Sequence, residues 1–122
     1  MKQIVLVIVV AAALGGATVA AHHSYAAYHT DRIIEVEGTL ETFEWINPHS
    51  LLYVRAADAL YIFEWGAPNM LQRRGVTREM LKTGERIVLT GNPHRQIEQN
   101  RIVNLKSVKR VADGWSWPPA TR

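Results

Sequence analysis

The sequence of 122 residues contains no cysteine. That excludes a disulfide framework, a thiolate metal site, a lipid-modified cysteine and a cysteine nucleophile. There is no Gly-x-Ser-x-Gly elbow, no glycine-rich phosphate loop and no His-Glu-x-x-His pair, so the common hydrolase, nucleotide-binding and zinc-protease signatures are missing. Their absence weighs against an enzyme without excluding one. Charge of one sign is also scarce: 14 basic against 11 acidic residues leave a formal net charge of +3. An excess that mild gives no nucleic-acid footprint.

One long apolar run stands at the start. Met1-Lys2-Gln3 is followed by Ile4 to Leu14 without a charge, softening into Gly15-Gly16-Ala17-Thr18-Val19-Ala20-Ala21. This is the n-region, h-region and small-residue cleavage site of a secretory signal peptide over residues 1–21, with cuts after Ala20 or after Ala21 both fitting. An uncleaved anchor is the alternative, since a span of about 17 to 25 residues crosses a bilayer. Cleavage leaves 101 residues with a net charge of +2, enough for one domain and no membrane span. The expected location is the periplasm or the exterior.

Residues 22–32 read as an irregular N-terminal arm. From Ile34 the sequence alternates: Ile34, Val36, Gly38 and Leu40 share one face, and Glu35, Glu37, Thr39 and Glu41 the other. After Thr42 the phase slips to Phe43 and Trp45, which calls for a bulge or a bend, and Gly38 can help the strand bend. Asn47-Pro48 ends this strand. Strands follow at about Leu51–Arg55 and Leu60–Trp65, joined by the Ala56–Ala59 hairpin. Gly66-Ala67-Pro68 starts a short helix that Gly75 stops, and Thr77 caps a second turn running to Lys82. Ile87–Gly91 and Ile102–Val111 supply two more strands, and residues 113–122 form a tail that Pro118-Pro119 keeps from being helical. Five strands over residues 33–112, with a helical insert between the third and fourth, predict an all-β, OB-like barrel. An open five-stranded sheet or a small sandwich would give much the same pattern.

Five histidines are the residues most open to chemistry. A cut after Ala21 makes His22 the terminal residue, offering amine and ring nitrogen to one metal, with His23 and His29 near in sequence. A cut after Ala20 puts His23 third, so that amine, two amides and imidazole form a square-planar set. Both arrangements suit Cu(II). The plainer reading is a polar start to the mature chain. Asn-Pro-His occurs twice, at Asn47-Pro48-His49 and Asn92-Pro93-His94. In an OB-like barrel these fall in the two loops that frame the ligand face, so His49 and His94 can look into one site. The plainer reading is two turns with solvated histidines.

Phe43, Trp45, Tyr53, Tyr61, Phe63 and Trp65 alternate along three strands. Outward rings would make a stacking platform, with Trp45, Asn47, Trp65 and His94 as its face; inward rings would be core. Glu44 and Glu64, each beside a Trp, offer a carboxylate pair or merely a solvated surface. Arg73, Arg74, Arg78, Lys82 and Arg86 cluster about the helical insert, as an anion site or as a solvated helix face.

The chain resembles DUF6152, a family of small exported bacterial proteins. The resemblance rests on Ala21-His22-His23-Ser24-Tyr25-Ala26, on Glu37-Gly38-Thr39-Leu40 leading to Trp45-Ile46-Asn47-Pro48-His49, and on Phe63-Glu64-Trp65-Gly66-Ala67-Pro68-Asn69. Leu71-Gln72-Arg73-Arg74-Gly75-Val76-Thr77 and Leu81-Lys82-Thr83-Gly84-Glu85 extend it. It implies a signal peptide, one small β domain and the His-His-Ser start, and brings no catalytic residues; the second Asn-Pro-His and the Trp-Ser-Trp-Pro-Pro tail stand outside the pattern.

Two expectations follow. The first is a binding protein that holds copper or a similar divalent metal through His22, His23, His29 and His49, exchanging it with a metal donor or acceptor. The second is an adaptor that holds an envelope protein or a glycan on its aromatic strand face. A weaker third is an enzyme using a histidine-bound metal as Lewis acid or redox centre.

Overall fold

A computed structural model describes residues 25–96 and 101–121. The strands are β1 (Ile34–Glu44), β2 (Leu51–Arg55), β3 (Leu60–Glu64), β4 (Arg86–Pro93), β5 (Ile102–Arg110) and β6 (Ser116–Trp117), with the helix α1 (Pro68–Arg73) between β3 and β4. Hydrogen-bonded neighbours run β3-β2-β1-β4-β5-β6, and a parallel pairing of β3 with β5 closes the first five into a barrel. The OB-like all-β expectation holds, and closure rules out the open sheet. The tail does more than trail: Trp117 pairs with Val108 and Ser116 with Lys109, adding a sixth strand against β5.

Alternation along β1 is what lets one strand serve two neighbours. Its first half pairs with β4, from Ile34↔Gly91 to Thr39↔Arg86, and its second half with β2. The register slips between Leu40 and Thr42, so the extra residue is Glu41, slightly earlier than the sequence pattern suggests. The bulge moves the inward position from Leu40 to Phe43, and both are buried. Gly38 lies where β1 crosses Arg55; a Cβ there would come within 2.5 Å of the Arg55 carbonyl oxygen.

Leu40, Leu52, Val54, Phe63, Ile87, Leu89, Val103 and Val108 are fully buried inside the barrel. Leu71 of α1, Val76 and Leu81 join the same cluster. Pro68 opens α1 and Gly75, at φ +80°, follows its end, as expected from the sequence. The second turn is shorter than expected, a 3-10 segment at Arg78–Met80, and the Thr77 side chain makes no cap. Strand β4 is longer than expected: it continues through Asn92 and Pro93, which pair with Asn104 and Val103.

Candidate functional site

Strand register brings the end of β3, the start of β2, the end of β4 and the start of β5 to one end of the barrel. Glu64 pairs with Leu51 on one side and with Asn104 on the other, and Asn104 also pairs with Asn92. Beyond the strand ends the pairing continues, Ser50 N–H donating to the Gly66 carbonyl at 3.0 Å and Trp65 N–H to the Ser50 carbonyl at 2.9 Å. His49 therefore emerges beside Glu64. On the β4 side, His94 N–H donates to the Ile102 carbonyl at 2.9 Å. The two Asn-Pro-His segments thus meet at the same cleft, of about 740 Å³, lined by His49 and His94 together with Tyr28, Glu64, Trp65 and Trp117.

The arm forms part of its wall. Tyr28 bridges to His94, His29 N–H donates to the Pro93 carbonyl at 2.9 Å, and Arg95 N–H to the Ala27 carbonyl at 2.9 Å. Asn92 is 2% exposed and its Nδ2 donates to the Arg32 carbonyl at 2.7 Å. This asparagine fastens the arm to the barrel and is not offered to a partner. Asn47 is exposed, at the mouth of the β1–β2 connection.

The polar centre is Glu64. One of its oxygens, Oε1, meets His49 Nδ1; the other, Oε2, accepts the Tyr28 hydroxyl. Tyr28 in turn sets its ring edge-on to His94, with centroids 5.4 Å apart. Burial pushes the Tyr28 phenol pKa up, and the hydrogen bond to Glu64 and the charge of that carboxylate push the same way. Tyr28 is consequently a neutral donor throughout the physiological range. Of the two carboxylates flagged in the sequence, Glu64 belongs to this cluster, whereas Glu44 does not line the cleft. Tyr28 was not among the expected site residues; nothing local distinguishes it from Tyr25, and only the β-bridge to His94 reveals it.

The remaining expectations divide. His22 and His23 lie outside the described residues. His29 sits with Nδ1 3.9 Å from Asp31 Oδ1 and is not among the cleft residues. Among the described residues, no group of three histidine, aspartate or glutamate side chains is placed to hold one metal ion. Of the aromatic set, Phe43, Phe63 and Trp65 are buried, with Trp65 stacked on Phe43 at 6.2 Å and set edge-on to Trp117 at 4.9 Å. Trp45, Tyr53 and Tyr61 are half-buried. Arg73, Arg78, Lys82 and Arg86 lie away from the cleft, while Arg74 lines it.

Fold and site together define a small closed β-barrel with a histidine–carboxylate–tyrosine cluster at one end. The chain belongs to DUF6152, a family of unknown function, whose family model matches residues 9–103. No curated protein matches it at a significant level.

Proposed function

We propose that this is an exported copper-binding protein, taking Cu(II) or a similar divalent metal between its N-terminal histidines and the barrel cleft. The observation that carries the reading is the pairing of His49 Nδ1 with Glu64. Histidines that ligate metals through one ring nitrogen almost always hold the other on a carboxylate, carbonyl or water, which fixes the ring and raises its basicity. Both Glu64 oxygens are engaged, so Glu64 is the orienting group and His49 Nε2 the donor.

His49 alone cannot hold a metal. The other donors in this reading are His22, His23 and the free amine left by signal cleavage. Chain length permits it: Ala27 lines the cleft, and the four residues from there to His23 span at most about 14 Å. Cysteine-free nitrogen ligation of this kind suits Cu(II). The adaptor reading is less favoured, since Phe43, Phe63 and Trp65 are occupied in the core rather than displayed.

Copper titration of protein purified with its natural N-terminus tests the proposal. Submicromolar one-to-one binding is expected, abolished by His22→Ala with His23→Ala. Glu64→Gln should weaken it roughly tenfold to a hundredfold, as lost orienting partners do. Binding that is unmoved by His49→Ala and by Glu64→Gln would remove the cleft from the site.

A further inference from the structure

Sulfur is scarce in this chain, which makes its placement informative. There is no cysteine, and there are three methionines. Met1 lies outside the described residues. Of the other two, Met80 packs against the core cluster, as methionine ordinarily does. Met70 departs from that habit: it is 48% exposed and lines the cleft that His49 and His94 share. The helix sets its direction. Leu71, 2% exposed, is the residue that α1 buries, and neighbours on a helix point about 100° apart. Arg74, four residues beyond Met70, lines the cleft as well, since residues so spaced share a helix face. Pro68 at the start of α1, and the Met70 N–H bonded to Asn69 Oδ1 at 2.9 Å, hold the backbone that carries the thioether.

Thioether sulfur is a soft, polarizable donor, and soft sulfur selects Cu(I). Its natural companion in the cleft is His49, whose Nδ1 is taken by Glu64, an arrangement that orients the ring and raises the basicity of Nε2. His94 is less suited to the role. Its Nδ1 accepts the Gln96 N–H at 3.2 Å, so the neutral ring carries its proton on Nε2. A sulfur and an imidazole nitrogen are both uncharged, and such a pair satisfies a filled-shell monovalent ion that accepts linear coordination. Arg74 on the same helix face acts in the same sense, because a guanidinium repels a divalent ion about twice as strongly as a monovalent one at equal distance.

We infer that Met70 and His49 hold Cu(I) in this cleft, without donors from the N-terminus. What this shares with the Cu(II) reading, and rests on, is His49 oriented by Glu64; the terminal histidines belong to that reading alone.

Anaerobic titration of the full mature protein with Cu(I), in competition with a chromophoric Cu(I) chelator, tests it beside a Cu(II) titration in air. One-to-one Cu(I) binding is expected, with a sulfur neighbour in the copper X-ray absorption spectrum. Met70→Leu conserves volume and apolarity and so keeps the fold. It should remove the sulfur neighbour and weaken Cu(I) by at least about tenfold, the lower bound for disturbing even an orienting partner, while leaving Cu(II) binding unchanged. Met80→Leu should change neither ion. His22→Ala with His23→Ala should abolish Cu(II) binding and spare Cu(I). Absence of Cu(I) binding, a spectrum of nitrogen and oxygen neighbours alone, an unaltered Met70→Leu variant, or loss of Cu(I) together with the terminal histidines overturns the inference. Cu(I) held through Met70 by a protein that takes up no Cu(II) would remove the Cu(II) reading and leave this one standing.

Discussion

Tyr28 and Glu64 are 36 residues apart, and the phenol of one donates to the carboxylate of the other. The bond joins the arm to the end of β3, and it makes a titration prediction. The Tyr28 pKa is raised in the folded protein, first by burial and then by Glu64. A group whose pKa rises on folding contributes stability that is complete below the unfolded value, about 10 for tyrosine, and lost as pH climbs through the folded value. Absorbance titration of the phenolate should therefore show a late-ionising component that Tyr28→Phe removes. The same variant should lose less stability between neutral and alkaline pH than the parent. If Tyr28→Phe leaves the late-ionising component in place, the bond to Glu64 does not exist in solution.

Asn92→Ala should loosen the arm before it harms the barrel. The substitution removes the part-buried bond from Asn92 to the Arg32 carbonyl, at a cost of about 0.5–1.5 kcal/mol. Hydrogen exchange is the check: amides of His29 and Arg95, which bond across the arm and β4, should lose protection ahead of those in β1 and β2.

Gly91→Ala should destabilise the whole domain. At the bulge between Thr90 and Gly91, β4 passes so close to β5 that a Cβ would overlap the Asn104 carbonyl oxygen and a Val103 methyl group. Crowding of this kind costs roughly 1–3 kcal/mol, readable as a lower urea midpoint. An unchanged midpoint would mean that the strands can separate there without penalty.

Asp113→Asn should act at neutral pH and not in acid. The Arg110 guanidinium, and after it the Trp115 N–H, holds the Asp113 carboxyl below its ordinary range. A depressed pKa contributes stability that is present above about pH 4 and lost as pH falls through the folded value. Thermal melts of variant and parent should differ near neutrality and converge as both are acidified. The pair is exposed, so the difference is small.

Much of the barrel was legible in the sequence because its strands carry their period openly. The alternation from Ile34 to Leu40, and its slip toward Phe43, announce a bulged strand shared between two neighbours. Pro68 and Gly75 bracket a helix on stereochemical grounds alone. The tail strand was not legible, because two residues carry no period and Trp117 finds its place through Trp65 and Val108. Asn-Pro usually ends a strand, yet β4 continues through Asn92 and Pro93 and the asparagine side chain turns to the arm instead.

The site was half visible. The repeated Asn-Pro-His hinted that His49 and His94 share a cleft, which the register of Asn104 with both Glu64 and Asn92 brings about. Glu64 looked like one strand-surface glutamate among several. What singles it out is its place opposite Leu51, beside the emergence of His49, and the return of Tyr28 from the arm, contacts that no local pattern encodes.

The parallel contact of β3 with β5 has a bearing on how the chain comes to exist. It spans Ile62↔Ile102 to Glu64↔Asn104, so a chain appearing N-terminus first has β1 to β4 available while two outer edges, on β3 and β4, remain open. Only residues beyond about 100 can seal both at once, since β5 (Ile102–Arg110) pairs with each. Until then the polypeptide is an unfinished ribbon with a vulnerable rim, slow to commit because its decisive pairing is distant.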